Sequence, residues 1–535
     1  MKPAAFQSTL VILVAAAWKI VFFFWDVIPF NSDEAVVALM SRHILQGERP
    51  VFFYGQAYMG SLDAFLVAAG FAVFGEQVWV IRLVQMLLWL GTLVVVILLG
   101  RELFGSMRTG LIAAALLAFP TVNVMLYTTA SLGGYGEALL IGSLLLLVAV
   151  IIVNRYVMAP ARQAPWGLLV LWGLLAGGGL WANGLTLVFS VPAGLYLLWA
   201  LWKCRRNWLG GFFLAGGLGF IVGALPWVGY AAASGSEALL LELFGNAVAV
   251  EQEPFLLRTF NHLVNFLLLG STALFGLRPP WAVTWLALPL LPFALAFWLV
   301  VVAFFIRKST RPNPHRSAFA LLGGVCAVLL AGFLFTSFGV DPSGRYFLPL
   351  AIPLALAAAR MVQSPALNRW QAVGLVALVA VFQLWGTVQS ALRYPPGLTT
   401  QFYEPTIVDH RYDQVLIDFL RQEGETRGYS NYWVSYPIAF RSQEQVIFIP
   451  RLPYHLDLRY TPRDDRYAPY TALVEQSQRV AYITTRNEVL DAYLGEQFRA
   501  LGVTWEETQI GDYHVYYRLS RVVRPQEIGL GELRQ

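Results

Sequence analysis

The sequence predicts a polytopic α-helical membrane protein with a C-terminal α/β domain that is soluble in water. The first observation is composition: hydrophobic residues make up 57% and charged residues 13% of the 535 positions, about half the charged fraction of soluble domains. The second is a mean hydropathy of +0.59. The third is that apolar runs long enough to cross about 30 Å of hydrocarbon end near residue 390. Soluble, disordered and fibrous proteins are excluded, because no soluble fold buries so much apolar surface.

About eleven transmembrane helices are predicted from these runs. The first run follows Lys2 but continues to Trp25, which indicates an uncleaved anchor and not a signal peptide. The runs lie near residues 5–25, 79–100, 109–126, 134–153, 166–182, 184–202, 210–231, 281–306, 317–339, 346–361 and 370–390. Glycines inside the runs, which indicate close helix packing, are residues 177–179, 216, 217, 219 and 223.

The distribution of charge predicts the orientation of the chain in the membrane. Alternate loops carry an excess of Lys and Arg with Glu102 as their one acid, whereas the opposite loops carry mostly Asp and Glu. The positive-inside rule therefore predicts a cytoplasmic N-terminus and an extracytoplasmic C-terminus. The net charge of +5 follows from this topology and does not indicate a nucleic-acid partner. The predicted domains are a membrane module over 1–390, with external loops at 26–78 and 232–280, and a soluble domain over 391–535.

The last part of the chain has the periodicity of a small α/β domain. Cys204 and Cys326 both precede it and lie far apart, so neither a disulfide nor a structural zinc site is expected. The pattern predicts helices over 413–422 and 488–500, with strands near 427–434, 445–450, 479–485, 503–509 and 512–519.

The first external loop contains two adjacent acids at the start of a predicted helix. Asn31 or Ser32 can cap this helix, which ends at Gly47. Asp33 and Glu34 then have two interpretations. Acids in a first helical turn stabilise the helix dipole by about 0.3–1 kcal/mol. A carboxylate at the boundary of water and lipid is alternatively a general base for an acceptor hydroxyl. The spacing alone leaves both interpretations open.

A second candidate group lies in a short turn before a late apolar run. Arg345 is predicted on the outer face, where the positive-inside rule does not require a cation. One interpretation is an anchor at the membrane surface, with Tyr346 beside it. The other is a guanidinium that binds phosphate oxygens through its planar fork.

Three further polar residues are weaker candidates. Glu137 opens the fourth run at the outer face, where a carboxylate is costly and indicates a partner or a pocket. Arg258 and His262 lie four residues apart in the second external loop, and such a histidine is more often simply hydrogen-bonded.

Short motifs lie in the first external loop, in the turn before a late apolar run and in the tail. They are Ser32-Asp33-Glu34-Ala35, His43-Ile44-Leu45, Gly47-Glu48, Pro50, Phe52-Phe53-Tyr54-Gly55-Gln56 and Tyr58, Arg345-Tyr346-Phe347-Leu348-Pro349, and, in the tail, Gly428-Tyr429, Tyr432-Trp433, Tyr436, Glu444, Val446-Ile447 and Pro450. With these motifs the chain resembles the glycosyltransferase-C superfamily, and within it bacterial proteins like the protein mannosyltransferases and aminoarabinose transferases. The resemblance covers the membrane part broadly, and its specific motifs are short.

The resemblance implies a multi-pass transferase at the outer face of a bacterial cytoplasmic membrane, which moves a sugar from a polyprenyl-phosphate carrier to an acceptor. It implies that Asp33 is the catalytic carboxylate, with Glu34 supporting it. Arg345 and Tyr346 are then expected at the donor phosphate. Candidates for substrate binding are His43, Tyr54, Gln56, Tyr58, Glu137, Arg258 and His262.

The reaction is expected to be inverting. The resemblance leaves the acceptor open, which can be a lipid, a glycan or a protein. A divalent metal can share the neutralisation of the phosphate, so a metal requirement stays open. The alternative function is a transporter or lipid flippase with an external binding domain, which predicts inverted repeats that the sequence does not display.

Overall fold

The computed structural model describes residues 3–158, 164–204, 208–245 and 253–532. Residues 246–252, within the predicted external loop 232–280, and Lys2 lie outside the described residues. Before residue 392 the helices are α1 (Pro3–Trp25), α2 (Ser32–Leu45), α3 (Leu62–Phe74), α4 (Val78–Phe104), α5 (Met107–Ala118), α6 (Val122–Tyr127), α7 (Tyr135–Ile152), α8 (Trp166–Ala182), α9 (Leu187–Lys203), α10 (Leu209–Gly211), α11 (Gly217–Gly223), α12 (Leu225–Ser234), α13 (Ser236–Leu243), α14 (Phe255–Val264), α15 (Ser271–Leu274), α16 (Leu291–Thr310), α17 (Arg316–Phe335), α18 (Ala351–Val362) and α19 (Arg369–Ala391).

Each of the eleven predicted apolar runs contains a helix, although the run 281–306 becomes helical only at Leu291 and the run 109–126 is divided between α5 and α6. Within the described residues, eight helices are long and apolar enough to cross a membrane, or nine if the bent pair Leu209–Gly223 and Leu225–Ala233 forms one span. The remaining two runs form the shorter helices α5 and α8. Large apolar side chains such as Leu13, Phe24 and Ile306 stay exposed, as surfaces that face lipid do. These findings indicate a multi-pass membrane protein.

Glycines allow α8 and α11 to approach each other closely. A Cβ atom at Gly177 would lie 2.0 Å from the carbonyl oxygen of Phe220, and one at Gly223 would lie 2.4 Å from that of Leu174. Gly219 is equally restricted, since its Cβ would lie 2.3 Å from the Val170 oxygen. The predicted role in helix packing is confirmed for these glycines.

The chain divides into two compact units. We call the first the membrane unit; it comprises Met1–Asp26, Gln56–Asp63 and Ile81–Leu392. The second, the C-terminal unit, comprises Val27–Gly55, Ala64–Val80 and Arg393–Gln535. Most of the first predicted external loop therefore clusters with the C-terminal residues. The predicted division into a membrane module over 1–390 and a soluble domain over 391–535 stays a prediction.

The C-terminal unit contains a mixed five-stranded sheet. The helices after residue 392 are α20 (Asp413–Glu423), α21 (Tyr432–Arg441), α22 (Ala468–Glu475) and α23 (Glu488–Ala500). Two short strands, β1 (Phe52–Phe53) and β2 (Gln56–Gly60), precede those of the sheet, which are β3 (Arg427–Ser430), β4 (Ile447–Pro450), β5 (Ala481–Thr485), β6 (Glu506–Ile510) and β7 (Tyr513–Tyr517). The strand order is β4-β3-β5-β7-β6; β3 is parallel to β4 and β5, and β7 is antiparallel to β5 and β6.

Most of the helices and strands predicted for this sheet domain are present, and their apolar residues form one buried core. Leu416 and Leu420 of α20 and Val434 and Ile438 of α21 are buried against Phe448 of β4 and its neighbours. The predicted strand over 427–434 is partly wrong, because β3 ends at Ser430 and α21 follows. The Asn431 side chain accepts a hydrogen bond from the Trp433 backbone N–H and so caps a helix whose first residues have high β propensity.

In the C-terminal unit, α2 packs against α21. The ring of Phe440 lies 5.5 Å from that of Phe30 and 6.1 Å from that of Phe71, measured between centroids. Val36, Met40 and Ile44, which are spaced along one face of α2, are buried. Packing on this face fixes α2, and with it the acidic pair, within the C-terminal unit.

Replacing Gly177 with Ala is expected to lower the free energy of unfolding by about 1–3 kcal/mol, because the new methyl group overlaps a backbone oxygen and forces α8 from α11. Gly217→Ala is the matched control, since nothing lies within 4 Å of the position that its new methyl group would take. Thermal unfolding of the detergent-solubilised chain measures both variants. Equal unfolding midpoints would contradict the close packing.

Candidate active site

Asp33 is the accessible carboxylate of a helix that is otherwise buried. The Asn31 side chain accepts a hydrogen bond of 3.1 Å from the Glu34 backbone N–H and begins α2. Every residue from Ser32 to Ile44 except Asp33 is buried. Glu34 is fully buried, at 0% exposure. The two predicted acids therefore differ in environment, and only Asp33 can meet a ligand directly.

Asp33 belongs to a group of polar side chains from two segments of the C-terminal unit, Val27–Gly55 and Arg393–Gln535. The Tyr432 hydroxyl donates a hydrogen bond of 2.6 Å to Asp33 Oδ1. The Arg466 guanidinium lies over the Tyr432 ring, 5.4 Å from its centroid, and interacts electrostatically with Asp33 and Asp464. We call these four residues the Asp33 cluster.

Asp464 gives the Asp33 cluster a second carboxyl group. Burial raises the pKa of Asp464 to about 7; the nearby charge of Arg466 opposes this shift, and that of Asp33 adds to it. The side chain is only partly ionised near neutral pH. Two carboxyl groups, those of Asp33 and Asp464, therefore lie within electrostatic range of one guanidinium.

His43 and Tyr54, both predicted substrate-binding residues, take part in a hydrogen-bonded network. His43 Nδ1 lies 3.0 Å from the Tyr54 hydroxyl, and its Nε2 lies 3.1 Å from Glu444 Oε1. The Tyr467 ring stacks on His43 at 4.5 Å. Tyr54 and Tyr467 both donate hydrogen bonds to Glu48, at 2.7 and 2.6 Å. The network joins the segment after α2 to the loop before α22.

Glu444 is the anionic centre of this network. Burial alone would raise its pKa, but hydrogen bonds from His43 and Tyr470 and the charge of Arg42 lower the pKa to about 2. Arg42 Nε also donates to Glu76 Oε2 at 2.7 Å. A buried cation on α2 is thus compensated by two carboxylates.

The membrane unit contains Arg345 and Tyr346, the residues expected at the donor phosphate. Arg345 forms an ion pair of 2.6 Å with Asp341 and lies over the Tyr346 ring at 4.9 Å. Three donors of this turn, Ser343 Oγ, Arg345 Nε and the Tyr346 hydroxyl, are buried and have no hydrogen-bond partner among the described residues. Unsatisfied donors concentrated in one turn are suited to an anion.

Tyr346 also lines an open cavity of about 390 Å³ in the membrane unit. The lining is mostly aliphatic and aromatic, and Tyr58 and Tyr135 add hydroxyl groups. Arg345 lies within electrostatic range of all three tyrosines. An apolar cavity with a few polar groups is typical of a site for an amphipathic ligand. Gln56 is not among the described residues that line it.

Glu137 lies in a different polar cluster of the membrane unit. It is 1% exposed and faces the carboxylate of Asp63. Gln85 Nε2 donates to Asp63 Oδ1 at 2.9 Å, and the Ser131 hydroxyl donates to Asp63 Oδ2. Glu137 therefore lies near Asp63, an acid of the predicted first external loop, and the sequence gives no sign of this proximity.

Arg258 and His262 lie on α14 of the membrane unit. His262 is 1% exposed, and its Nδ1 lies 3.0 Å from the backbone oxygen of Leu334. The Arg258 guanidinium lies over the Phe255 ring at 5.6 Å. These contacts place His262 in helix packing.

Neither Asp33 nor Arg345 lies in a set of side chains that could bind a metal ion, as far as the described residues show. Among residues 3–158, 164–204, 208–245 and 253–532, no group of three or more His, Cys, Asp or Glu side chains is placed to hold a metal ion. We therefore derive no chemical step through a metal.

From the sequence, Tyr432 stands out only as part of a tail motif of the resemblance, and nothing points to Asp464 or Arg466 as site residues. Tyr432 falls in a predicted strand, and the loop Arg463 to Arg466 resembles an ordinary charged surface loop. No local pattern links these residues to Asp33, about four hundred positions earlier, because the sheet domain alone brings them together. The sequence likewise gives no sign that Tyr58 and Tyr135 line one cavity with Tyr346.

The chain is similar to known membrane glycosyltransferases in one segment of sequence and in fold. The profile of the family described as dolichyl-phosphate-mannose-protein mannosyltransferase matches residues 61–230. The sequence matches no curated protein. The family match and the fold described next indicate a glycosyltransferase.

Two enzymes of known structure share the fold. ArnT from Cupriavidus metallidurans in the apo state superposes with a TM-score of 0.60 at 14% identity, over 95% of this chain and 97% of that chain. ArnT bound to undecaprenyl phosphate gives a TM-score of 0.56 at 14% identity, over 96% and 97%. The apo oligosaccharyltransferase of Archaeoglobus fulgidus gives 0.55 at 12% identity, over 93% of this chain and 70% of that chain. The glycosyltransferase-C fold predicted from the sequence is confirmed.

Replacing Glu444 with Gln is expected to destabilise the chain by about 1–3 kcal/mol near pH 7, because Arg42 and His43 lose a charged partner. The lowered pKa means that the carboxylate stabilises the fold above its unfolded pKa near 4.5 and stops doing so as the pH falls toward 2. The deficit should therefore shrink in acid.

Thermal unfolding of the full chain at about pH 7 and about pH 3 measures this change. The exposed Glu496→Gln variant is the control, since it changes the same functional group on α23. A deficit for Glu444→Gln that is equal at both pH values would contradict the assignment.

Proposed function

We propose that the protein transfers a sugar from a polyprenyl-phosphate-linked donor to an acceptor hydroxyl or phosphate, with Asp33 as the catalytic carboxylate and Arg345 at the donor phosphate. The observation that carries this proposal is the turn 343–346, whose buried donors lack partners among the described residues, beside an apolar cavity of about 390 Å³. An amphipathic phosphate needs both features. We further propose that the site faces outward from a bacterial cytoplasmic membrane, with a cytoplasmic N-terminus and an extracytoplasmic C-terminus.

The donor side of the proposal rests on chemical complementarity. The lipid part of the donor is soluble only in apolar surroundings, which the aliphatic lining of the cavity supplies. Its phosphate requires directional donors and positive charge, which Arg345, Tyr346 and Ser343 supply. The similarity in fold to ArnT, whose structure is known with undecaprenyl phosphate, supports the same class of donor.

The acceptor side rests on the accessibility of Asp33. A carboxylate that is partly exposed on a rigid, buried helix can accept a proton without moving its backbone. Glu34, one residue further along, is buried, and its proposed role is to support Asp33. His43, Tyr54, Gln56, Tyr58, Glu137, Arg258 and His262 stay proposed as substrate-binding residues.

The proposed reaction proceeds by one displacement at the anomeric carbon. An acceptor hydroxyl oxygen forms a bond to this carbon as Asp33 takes the hydroxyl proton. The bond between the anomeric carbon and the donor phosphate oxygen breaks, and its electron pair leaves with polyprenyl phosphate. Attack opposite the leaving group inverts the anomeric configuration. The leaving phosphate gains one negative charge, so Arg345 binds it more strongly than it binds the donor, which accelerates the reaction.

Asp33→Asn is expected to lower the rate of transfer by about 10²–10⁴-fold, because the amide cannot accept the proton. The measurement is release of polyprenyl phosphate from a labelled polyprenyl-phosphate sugar, with lipid, glycan and peptide acceptors offered in parallel. Asp26→Asn is the control, since the Asp26 side chain is 82% exposed. Full activity of Asp33→Asn would remove Asp33 from the mechanism.

Arg345→Gln is expected to lower kcat/KM for the donor by about 10- to 100-fold, because a charged hydrogen bond to phosphate is lost. The exposed Arg369→Gln variant is the control. Since Arg345→Gln also leaves Asp341 without its ion pair, the double variant with Asp341→Asn is measured too. Unchanged kcat/KM in both Arg345 variants would exclude Arg345 from the phosphate site.

A further inference from the structure

Tyr432 is held rigidly at the start of α21 in the C-terminal unit. The Asn431 side chain caps this helix, and its Nδ2 donates to Thr485 Oγ1 of β5 at 2.8 Å. The Tyr432 backbone oxygen accepts a hydrogen bond from the Ser32 hydroxyl. With 3% exposure, the Tyr432 side chain has little freedom to choose another rotamer.

The Tyr432 hydroxyl is placed to act as a permanent donor to Asp33. Burial, with the charge of Asp33 as the next cause, raises the pKa of Tyr432 well above its ordinary value. The hydroxyl therefore stays protonated and donates to Asp33 Oδ1 at 2.6 Å. This bond occupies one carboxylate oxygen of Asp33.

Arg466 is held over Tyr432 by a neighbouring tyrosine. The Arg466 backbone N–H donates to the Tyr436 hydroxyl at 2.6 Å, and this hydroxyl donates to the Asp464 backbone oxygen at 3.0 Å. Tyr436, 2% exposed and one helical turn after Tyr432, thus fixes the loop that carries Arg466. The guanidinium lies where it compensates the negative charge of Asp33.

On the basis of the proposed function, we infer that Tyr432 and Arg466 are positioning residues of the sugar transfer, which hold Asp33 in the orientation that receives the acceptor proton. Tyr432 fixes the carboxylate through Oδ1 and leaves Oδ2 for the acceptor. Arg466 fixes the Tyr432 ring and provides the nearby positive charge. The C-terminal sheet domain is then a working part of the active site, because α21 and the loop 463–466 supply both residues.

The first test compares two variants that each remove one buried tyrosine hydroxyl. Tyr432→Phe is expected to lower kcat by about 10- to 100-fold, the loss of a hydrogen bond to a charged group, with an unchanged KM for the donor. Tyr429→Phe is the control: Tyr429 is 2% exposed, and its hydroxyl accepts a hydrogen bond of 2.9 Å from Arg524. A wild-type kcat for Tyr432→Phe, or a change confined to KM, would overturn the inference.

A double-mutant cycle separates positioning from a general structural role. Under single turnover at high enzyme concentration, Tyr432→Phe should cost a much smaller factor in the Asp33→Asn background than in the wild type, because the oriented carboxylate is absent. Equal factors in the two backgrounds would overturn the inference. An inactive wild-type chain would instead contradict the proposed function, so the two failures are distinct.

Variants of Arg466 test the same inference independently, so the test remains possible if Tyr432→Phe does not fold. Arg466→Gln is expected to lower kcat at unchanged donor KM, and Arg466→Lys to recover part of the loss by restoring the charge without the planar contact. The exposed Arg463→Gln variant of the same loop is the control. Arg466→Gln with wild-type kcat would contradict the role of Arg466.

Discussion

The burial of α2 against α21 is the constraint on which the C-terminal unit depends. A helix that carries Arg42 and His43 can be buried only if each polar side chain finds a partner, because an unpaired buried charge costs several kcal/mol. Glu76 and Glu444 meet this requirement through direct contacts. Since all other residues between Ser32 and Ile44 are buried, Asp33 is the one carboxylate that this helix can present to a ligand.

The same constraint explains why residues far apart in the sequence meet at Asp33. Packing on α21 brings Tyr432, the first residue of that helix, beside the first turn of α2. The loop before α22 is held by Tyr436 and by the stacked rings of Tyr467 and His43. A rigid helix, and not a free loop, therefore determines the direction of the Asp33 side chain, which suits the proton acceptance that we propose for it.

The membrane unit differs from the C-terminal unit in where its apolar side chains lie. Its helices can leave apolar side chains exposed on the outside, so the interior need not be filled completely, and an apolar cavity persists next to Arg345. Buried polar groups inside such a unit are costly. The donors of the turn 343–346 that lack partners among the described residues are therefore the strongest physical indication of a bound anion in this unit.

The amino-acid sequence by itself determined the membrane class, the positions of the apolar helices, most elements of the sheet domain and the identity of Asp33, Glu34 and Arg345 as candidates. These features depend on composition, periodicity and local capping, which act over a few residues. The tertiary structure alone decided the partners of Asp33, the proximity of Glu137 to Asp63, and the shared cavity of Tyr58, Tyr135 and Tyr346. It also corrected the strand over 427–434, where the Asn431 cap outweighs β propensity. Side-chain burial and long-range hydrogen bonds depend on which elements pack together, and that packing is a property of the whole fold, not of any local stretch of sequence.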